Sequence, residues 1–363
     1  MSSIITAIGT ANPSYRFPQM KIFEFMQAAH QLNEVDSERL KKLYEASGIE
    51  YRHSVIEDFG VPQGTYSFFG NNSNLEPFPG TKARSVFYEK HAKELSLDAA
   101  KDLEKHFAID LQSITHLITV SCTGMYAPGL DIDLINLLNL PTSIERTCIN
   151  FMGCYGAFNA LKMANYICCS QTNAKVLIVD VELCTLHFQR KSTLENWVAN
   201  SLFADGAAAV LIENSNSGGN GFKLKTFFNT LIPEAKDEMG WRIGDYGFEM
   251  KLSSSIAKNI GKKITTVADQ LITKAQVNRS NVQHIAIHPG GRRILEVCEE
   301  MLELPEEALD ISYDVLRKFG NMSSVTILFI LKEFLSKLQP GEQLMSFAFG
   351  PGLTVESMIL EMI

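Results

Sequence analysis

The chain has 363 residues, a formal net charge of −8, 45% hydrophobic and 20% charged residues. That balance suits a globular enzyme with room for two domains and excludes a nucleic-acid binder built on a basic face. No apolar run approaches the roughly 18 residues of a membrane span, and residues 1–7 lack the basic start and apolar core of an export signal, so a cytoplasmic location is expected.

Residues 60–80, rich in Gly, Pro, Asn and Phe, read as a surface loop or a flap over a site. Helical periodicity follows over 85–107. A buried strand is expected at 114–120 and a helix at 131–138. A further helix is expected over 154–168, where Ala157, Ala160, Leu161 and Ala164 recur at three- and four-residue spacing. Strands come next at 175–180 and 207–212. The polar, glycine-rich stretch 214–221 (NSNSGGNG) is the clearest boundary. Beyond it lie a predicted helix at 255–274 and a strand at 283–288.

Apolar strands alternating with helices indicate an α/β protein whose sheets are covered on both faces. Two echoes connect the halves: 115–124 with 283–290, and 205–212 with 350–358. Together they point to a duplicated α/β unit, divided into halves 1–214 and 221–363.

The seven cysteines (Cys122, Cys148, Cys154, Cys168, Cys169, Cys184 and Cys298) form no C-x-x-C pair and mostly sit in apolar runs, as in a reducing compartment. No Cys/His set has metal-ligand spacing. Cys154 stands apart, flanked by Gly153 and Gly156 at the mouth of the 154–168 helix. Unpaired N–H groups and the helix dipole there favour the thiolate, and the glycines leave room for a substrate.

A cysteine nucleophile needs a base or cation beside it and donors aimed at the oxygen that becomes negative. His288 ends a strand and opens PGGRR (289–293); alone, it is as readily structural. Asn321, in FGNMSS (319–324), reads by itself as a turn or helix-cap residue. The order Cys154, His288, Asn321 is also that of papain-like proteases, but here the cysteine is mid-chain and lacks their flanking signature.

Taken together, these segments resemble the type III polyketide synthases, the chalcone and stilbene synthase family on the thiolase fold, with departures that suggest a bacterial-type member. The resemblance spans nearly the whole chain: IGTANP (8–13), the Cys154 setting, LFADGAAA (202–209), HPGG (288–291), GNMSS (320–324) and FGPGLTVE (349–356). It implies a thiolase-like fold with duplicated αβαβα layers, a homodimer, and an acyltransferase that works as a decarboxylating condensing enzyme on acyl-CoA and malonyl-CoA. No metal or prosthetic group is implied. Cys154 would take the acyl group, His288 would activate it, and His288 with Asn321 would bind the thioester oxygen of malonyl-CoA. The expected product is a pyrone, resorcinol or phloroglucinol.

By the same resemblance, Phe203 and Phe248 match gatekeepers between the CoA tunnel and the cavity, and Gly290, Gly291 and Ser323 fall in the substrate-binding motifs. Cys184 and His187, the latter where plant members usually carry threonine, imply a narrower or more polar cavity. Arg292 and Arg293 depart from the plant pattern near the tunnel mouth. They suit CoA phosphates, or the phosphopantetheine and acidic surface of an acyl carrier protein. Arg39 and Lys42 match CoA-binding cations loosely. Two alternatives stand beside this reading: a ketoacyl synthase III-like acyltransferase making one condensation on acyl carrier protein, and a non-catalytic thiolase-fold subunit.

Overall fold

The computed structural model describes residues 2–107, 109–214 and 220–363, so most of the glycine-rich boundary lies outside the described residues. The first half runs β1 (Ser3–Ala11), β2 (Tyr15–Pro18), α1 (Gln19–Ala29), α2 (Glu34–Ala46), β3 (Tyr51–Ser54) and α3 (Thr81–His106). It continues with β4 (His116–Ser121), α4 (Leu130–Leu137), β5 (Glu145–Asn150), α5 (Gly156–Ser170), β6 (Lys175–Leu183), α6 (Leu194–Leu202) and β7 (Asp205–Asn214). The second half supplies β8 (Phe222–Leu231), β9 (Met239–Gly244), β10 (Gly247–Leu252), α7 (Ile256–Ala275) and β11 (Val282–Ile287). It ends with α8 (Arg292–Leu302), α9 (Asp310–Phe319), α10 (Val325–Leu335), β12 (Gln343–Gly350) and β13 (Thr354–Met362).

Nine strands form one mixed sheet in the order β11-β12-β13-β8-β1-β7-β6-β4-β5. Outward from the β1–β8 seam, one side runs β1-β7-β6-β4-β5 and the other β8-β13-β12-β11. The pairing senses repeat as well. β7 and β13 are antiparallel to both neighbours, whereas β4/β6 and β11/β12 are parallel. β4 and β11 hold equivalent places, as do β7 and β13, and these are the two echoed segment pairs. Among the described strands of this sheet, β5 alone has no counterpart.

The apolar patterns explain the layering. Val325 to Leu331 are all buried, so the first two turns of α10 are covered on every side and belong to an interior layer. It shares that layer with α5, whose Ala157, Ala160 and Ala164 are buried in the same core cluster. Outside lie α3 on one half and the α7–α8 pair on the other. The two central helices matter for function: α5 begins just after Cys154, and α10 just after Asn321.

Two expectations need correction. The helix predicted from 154 begins as a single 3-10 turn, Gly153–Tyr155, and becomes α-helical only from Gly156. Residues 60–80 contain no helix or strand, but they are not a flap. Phe69 and Phe78 are buried in an aromatic cluster with Phe25, Phe59 and Phe188. The buried Asp58 carboxylate accepts bonds from Ser67 N, Ser67 Oγ, Phe68 N and Phe69 N at 2.8–3.1 Å, which pins the segment down. Among the described residues, no helix is long and apolar enough to cross a membrane.

Candidate active site

Three chain segments meet at a cavity of about 410 Å³ lined by Cys154, His288 and Asn321. The cysteine turn is held sterically. Gly153 has φ +75°, and a Cβ there would lie 2.3 Å from Pro351 Cδ. Its N–H donates to Cys122 Sγ at 2.9 Å. Phe151 and Ser323 are also left-handed, at φ +59° and +50°, so backbone strain is concentrated around the thiol.

The expected thiolate bias at Cys154 is reversed. The side chain is only 7% exposed, and burial pushes the thiol up to about 12. The Ser323 side chain pulls against burial, the Glu182 carboxylate adds to it, and the Asn321 side chain opposes it to a smaller degree. Loss of hydration outweighs the few N–H groups of a short 3-10 turn.

His288 lies just beyond the end of β11, its N–H donating to Phe347 O at 2.8 Å. It is 1% exposed, and neither ring nitrogen has a partner among the described residues. Burial alone lowers it to about 3, so it stands as a neutral imidazole with both nitrogens free. Asn321 is the opposite case, fixed on every side. Its N–H donates to Leu202 O and its carbonyl accepts from Ala204 N, each at 2.9 Å. Oδ1 accepts from Ser323 N at 2.9 Å, and Nδ2 donates to Gly290 O at 3.2 Å. A flipped amide would set N–H against N–H and oxygen against oxygen, so the orientation is determined. One Nδ2 hydrogen remains for the cavity. The turn-residue reading of Asn321 is therefore also true, since the turn is what aims the amide.

A pair of acids beneath the cysteine was missed. Glu182 accepts from Cys122 N at 3.1 and 3.0 Å, from Thr123 Oγ1 at 2.8 Å and from Ser324 Oγ at 2.9 Å. Ser324 Oγ also lies 2.8 Å from Asp180 Oδ1. One hydroxyl proton cannot serve both carboxylates. Burial raises both carboxyls, and with Glu182 adding to it Asp180 lies well above its ordinary value. The pair therefore favours holding a proton between them, with the Ser324 hydroxyl bridging the two. The available signal was two acids inside the apolar run VLIVDVEL (176–183).

Phe203 lines the Cys154 cavity and two smaller adjoining ones, with Met250 beside it in all three. Phe248 does not line them. It sits one layer back, stacked on the His187 ring at 4.2 Å between centroids. The β9–β10 register instead pairs Met250 with Trp241 and turns both toward the cavities. Cys184 and His187 do reach the wall, but His187 adds no free polar atom. Its Nε2 donates to Thr123 O at 2.7 Å and its Nδ1 accepts from Phe248 N at 2.9 Å. Burial holds it neutral, at about 3.

The cations divide. Arg293 lines the mouth of the Cys154 cavity with Gly290 and Gly291, and both Arg292 and Arg293 pair with Glu296. Arg39 and Lys42 are exposed on α2, pair with Asp36 and Glu38, and do not line that cavity. Ser323 borders the smaller cavity beside Cys154.

A family model described as chalcone and stilbene synthases, N-terminal domain, matches residues 2–216, and the corresponding C-terminal domain model matches 223–363. The chain belongs to the chalcone and stilbene synthase family. "Alpha-pyrone synthesis polyketide synthase-like Pks18" of Mycobacterium tuberculosis is 29% identical over 90% of this chain and 83% of that protein. "Probable polyketide synthase 1" of Dictyostelium discoideum is 27% identical over 99% of this chain, which spans only 11% of that much longer protein. Two crystal structures superpose closely. The C-terminal type III polyketide synthase domain of Steely1 from Dictyostelium has a TM-score of 0.91, at 26% identity and full coverage of both chains. PKS-I from the brown alga Ectocarpus siliculosus has a TM-score of 0.93, at 28% identity, covering 100% of this chain and 98% of that one. By family and fold the chain is a condensing transferase of the type III polyketide synthase class, on a thiolase-like α/β architecture. These relatives do not favour the single-condensation alternative.

Proposed function

We propose that the chain loads an acyl-CoA starter on Cys154, extends it with malonyl-CoA by decarboxylative Claisen condensation, and cyclises the product to a pyrone, resorcinol or phloroglucinol. The observation that carries this reading is the convergence of Cys154, an unpartnered His288 and a locked Asn321 amide on one cavity. The mycobacterial relative, named for alpha-pyrone synthesis, supports the pyrone.

In loading, His288 takes the thiol proton as the Cys154 sulfur bonds to the acyl carbonyl carbon. The bond to the CoA sulfur breaks, and the CoA thiolate takes the proton back from the imidazolium. Burial opposes either charge alone, so thiolate and imidazolium arise together as a pair. Malonyl-CoA then binds with its thioester oxygen on a His288 N–H and the remaining Asn321 Nδ2 hydrogen. Loss of CO2 leaves an electron pair on the enolate and requires no base, only donors on its oxygen. The enolate carbon attacks the acyl carbonyl on Cys154. The C–S bond to Cys154 breaks with its electron pair on sulfur, giving a β-ketoacyl-CoA. In the next round that thiolate attacks the new thioester carbonyl and CoA leaves as the thiolate, carrying the charge out of the site. The apolar wall formed by Phe203, Met239 and Met250 disfavours the malonyl carboxylate relative to neutral CO2.

Arg293 at the mouth, with Arg292 beside it, is assigned to the CoA phosphates, an acyl carrier protein being the alternative donor. A cytoplasmic homodimer working without metal or prosthetic group completes the proposal. The test is incubation of the full chain with malonyl-CoA and acyl-CoA starters of increasing length, with products read by mass spectrometry. Cyclised products carrying two or more extensions are expected. A single β-keto product strictly requiring carrier-bound malonate contradicts the proposal, as does the absence of any product.

A further inference from the structure

A second cavity, of about 40 Å³, shares Phe203 and Met250 with the Cys154 cavity and extends toward Met26, Phe59, Ala199 and Arg52. By volume it holds only a few water-sized groups, so a nucleotide is excluded and the end of a chain is not. Most of its wall is apolar. Its polar groups are largely committed: the Thr185 hydroxyl donates to Asp205, and both His187 nitrogens are used.

Arg52 is the exception. It is 2% exposed and makes no ion pair among the described residues. Nε donates to Gln19 Oε1 at 2.8 Å, and Nη1 donates to Asn200 O and Phe203 O at 2.8 and 2.7 Å. Nη2 is buried without an acceptor. The carboxylate acting on it, Asp205, is occupied by Val55 N, Thr185 N and Thr185 Oγ1. Apart from the Tyr44 ring, 5.8 Å from the guanidinium carbon, nothing among the described residues compensates Arg52 on the Nη2 side. A buried guanidinium lacking a paired carboxylate and one acceptor is costly unless a ligand completes it.

We infer that this small cavity receives the distal, oxygen-bearing end of the acyl chain carried on Cys154, with Arg52 Nη2 donating to a carbonyl or carboxylate oxygen. The inference rests on the condensing function proposed above. The same guanidinium clamps the Phe203 carbonyl, so recognition of the chain end and placement of Phe203 are joined in one residue.

The oxygen can come from the starter or from the growing polyketone, and two assays with the full chain separate these sources. The first uses acyl-CoA pairs of equal length, one ending in methyl and one in a ketone or carboxylate. If the starter supplies the oxygen, Arg52→Gln lowers the kcat/KM ratio of oxygenated to alkyl starter by roughly 10- to 100-fold, the loss of a hydrogen bond to a charged group, and Arg52→Lys restores part of it. The second uses acetyl-CoA alone. If the growing chain supplies the oxygen, Arg52→Gln shifts the products toward fewer extensions. A merely structural arginine slows every starter alike, and unchanged ratios together with an unchanged product distribution overturn the inference. Ala199→Leu fills the cavity but keeps the arginine, and is expected to disfavour long starters of both kinds relative to acetyl-CoA. If it does not, the cavity does not take the chain and the inference fails. Absence of product from every starter with the unmodified enzyme would refute the condensing reading itself, and the inference with it.

Discussion

Asn321→Asp separates the oxygen cradle from the nucleophile. The substitution keeps the side-chain shape and the bond from Ser323 N at 2.9 Å, but turns the donor to Gly290 O at 3.2 Å into a second oxygen. The hydrogen left over for the cavity goes with it. Removing one donor to a developing oxyanion costs about 3–4 kcal/mol, or roughly 10²–10³ in rate. The broken Gly290 contact costs about 1–3 kcal/mol of stability, a few degrees of melting temperature in a chain of this size. CO2 release from malonyl-CoA is therefore expected to fall roughly 10²- to 10³-fold, whereas acyl loading on Cys154, which uses His288, falls by less than roughly tenfold. Labelled CO2 release and intact-protein mass on the same preparation measure the two steps. Decarboxylation within tenfold of the parent enzyme in a folded variant refutes the oxyanion argument. Equal loss of both steps shows that the whole site was disturbed.

Three further predictions follow from packing and burial. His187 and His288 are held neutral, both at about 3 against an ordinary 6.5, so their stabilisation is complete above pH 6.5 and is lost as pH falls toward 3. Each contributes about 1.4 kcal/mol per pH unit across that window; melting temperature should drop steeply between pH 6 and 4, less so in His288→Gln, and a flat profile contradicts this. Gly153→Ala drives a Cβ to 2.3 Å from Pro351 Cδ at φ +75°, and should cost about 2–4 kcal/mol and abolish loading; normal melting and loading would show that the turn yields. Asp58→Ala leaves the backbone N–H groups of Ser67, Phe68 and Phe69 without their acceptor. A loss of about 3 kcal/mol or more is expected, with new protease cleavage inside 60–80; unchanged protease resistance contradicts the anchoring.

Much of the site was legible because its parts sit where local sequence changes character. Cys154 marks an apolar run turning into a small-residue helix, His288 a strand end before two glycines, and Asn321 a turn before the apolar run that opens α10. The duplication was visible in two strand echoes that proved to hold equivalent sheet positions. What escaped is set by distant chain. The protonation of Cys154 depends on burial, on Ser323 and on Glu182, which no reading of residues 150–160 contains. That Met250 and not Phe248 lines the cavities with Phe203 depends on how far along β10 the cavities lie and on the His187 ring stacked on Phe248. The phenylalanines of 60–80 look like loop content in the sequence, but Phe69 and Phe78 join Phe25, Phe59 and Phe188 in a five-ring cluster that anchors the segment. Arg52 carries no signal in the sequence, because its setting exists only once α1, α6 and β3 are brought together.

The central claim, that Cys154 carries the acyl chain, is tested most directly by intact-protein mass spectrometry after brief incubation with a starter acyl-CoA, with peptide mapping to locate any adduct. The account predicts one acyl group per chain, mapped to Cys154 and absent in Cys154→Ala. No adduct on the unmodified chain with any starter, or an adduct that persists in Cys154→Ala, would contradict it.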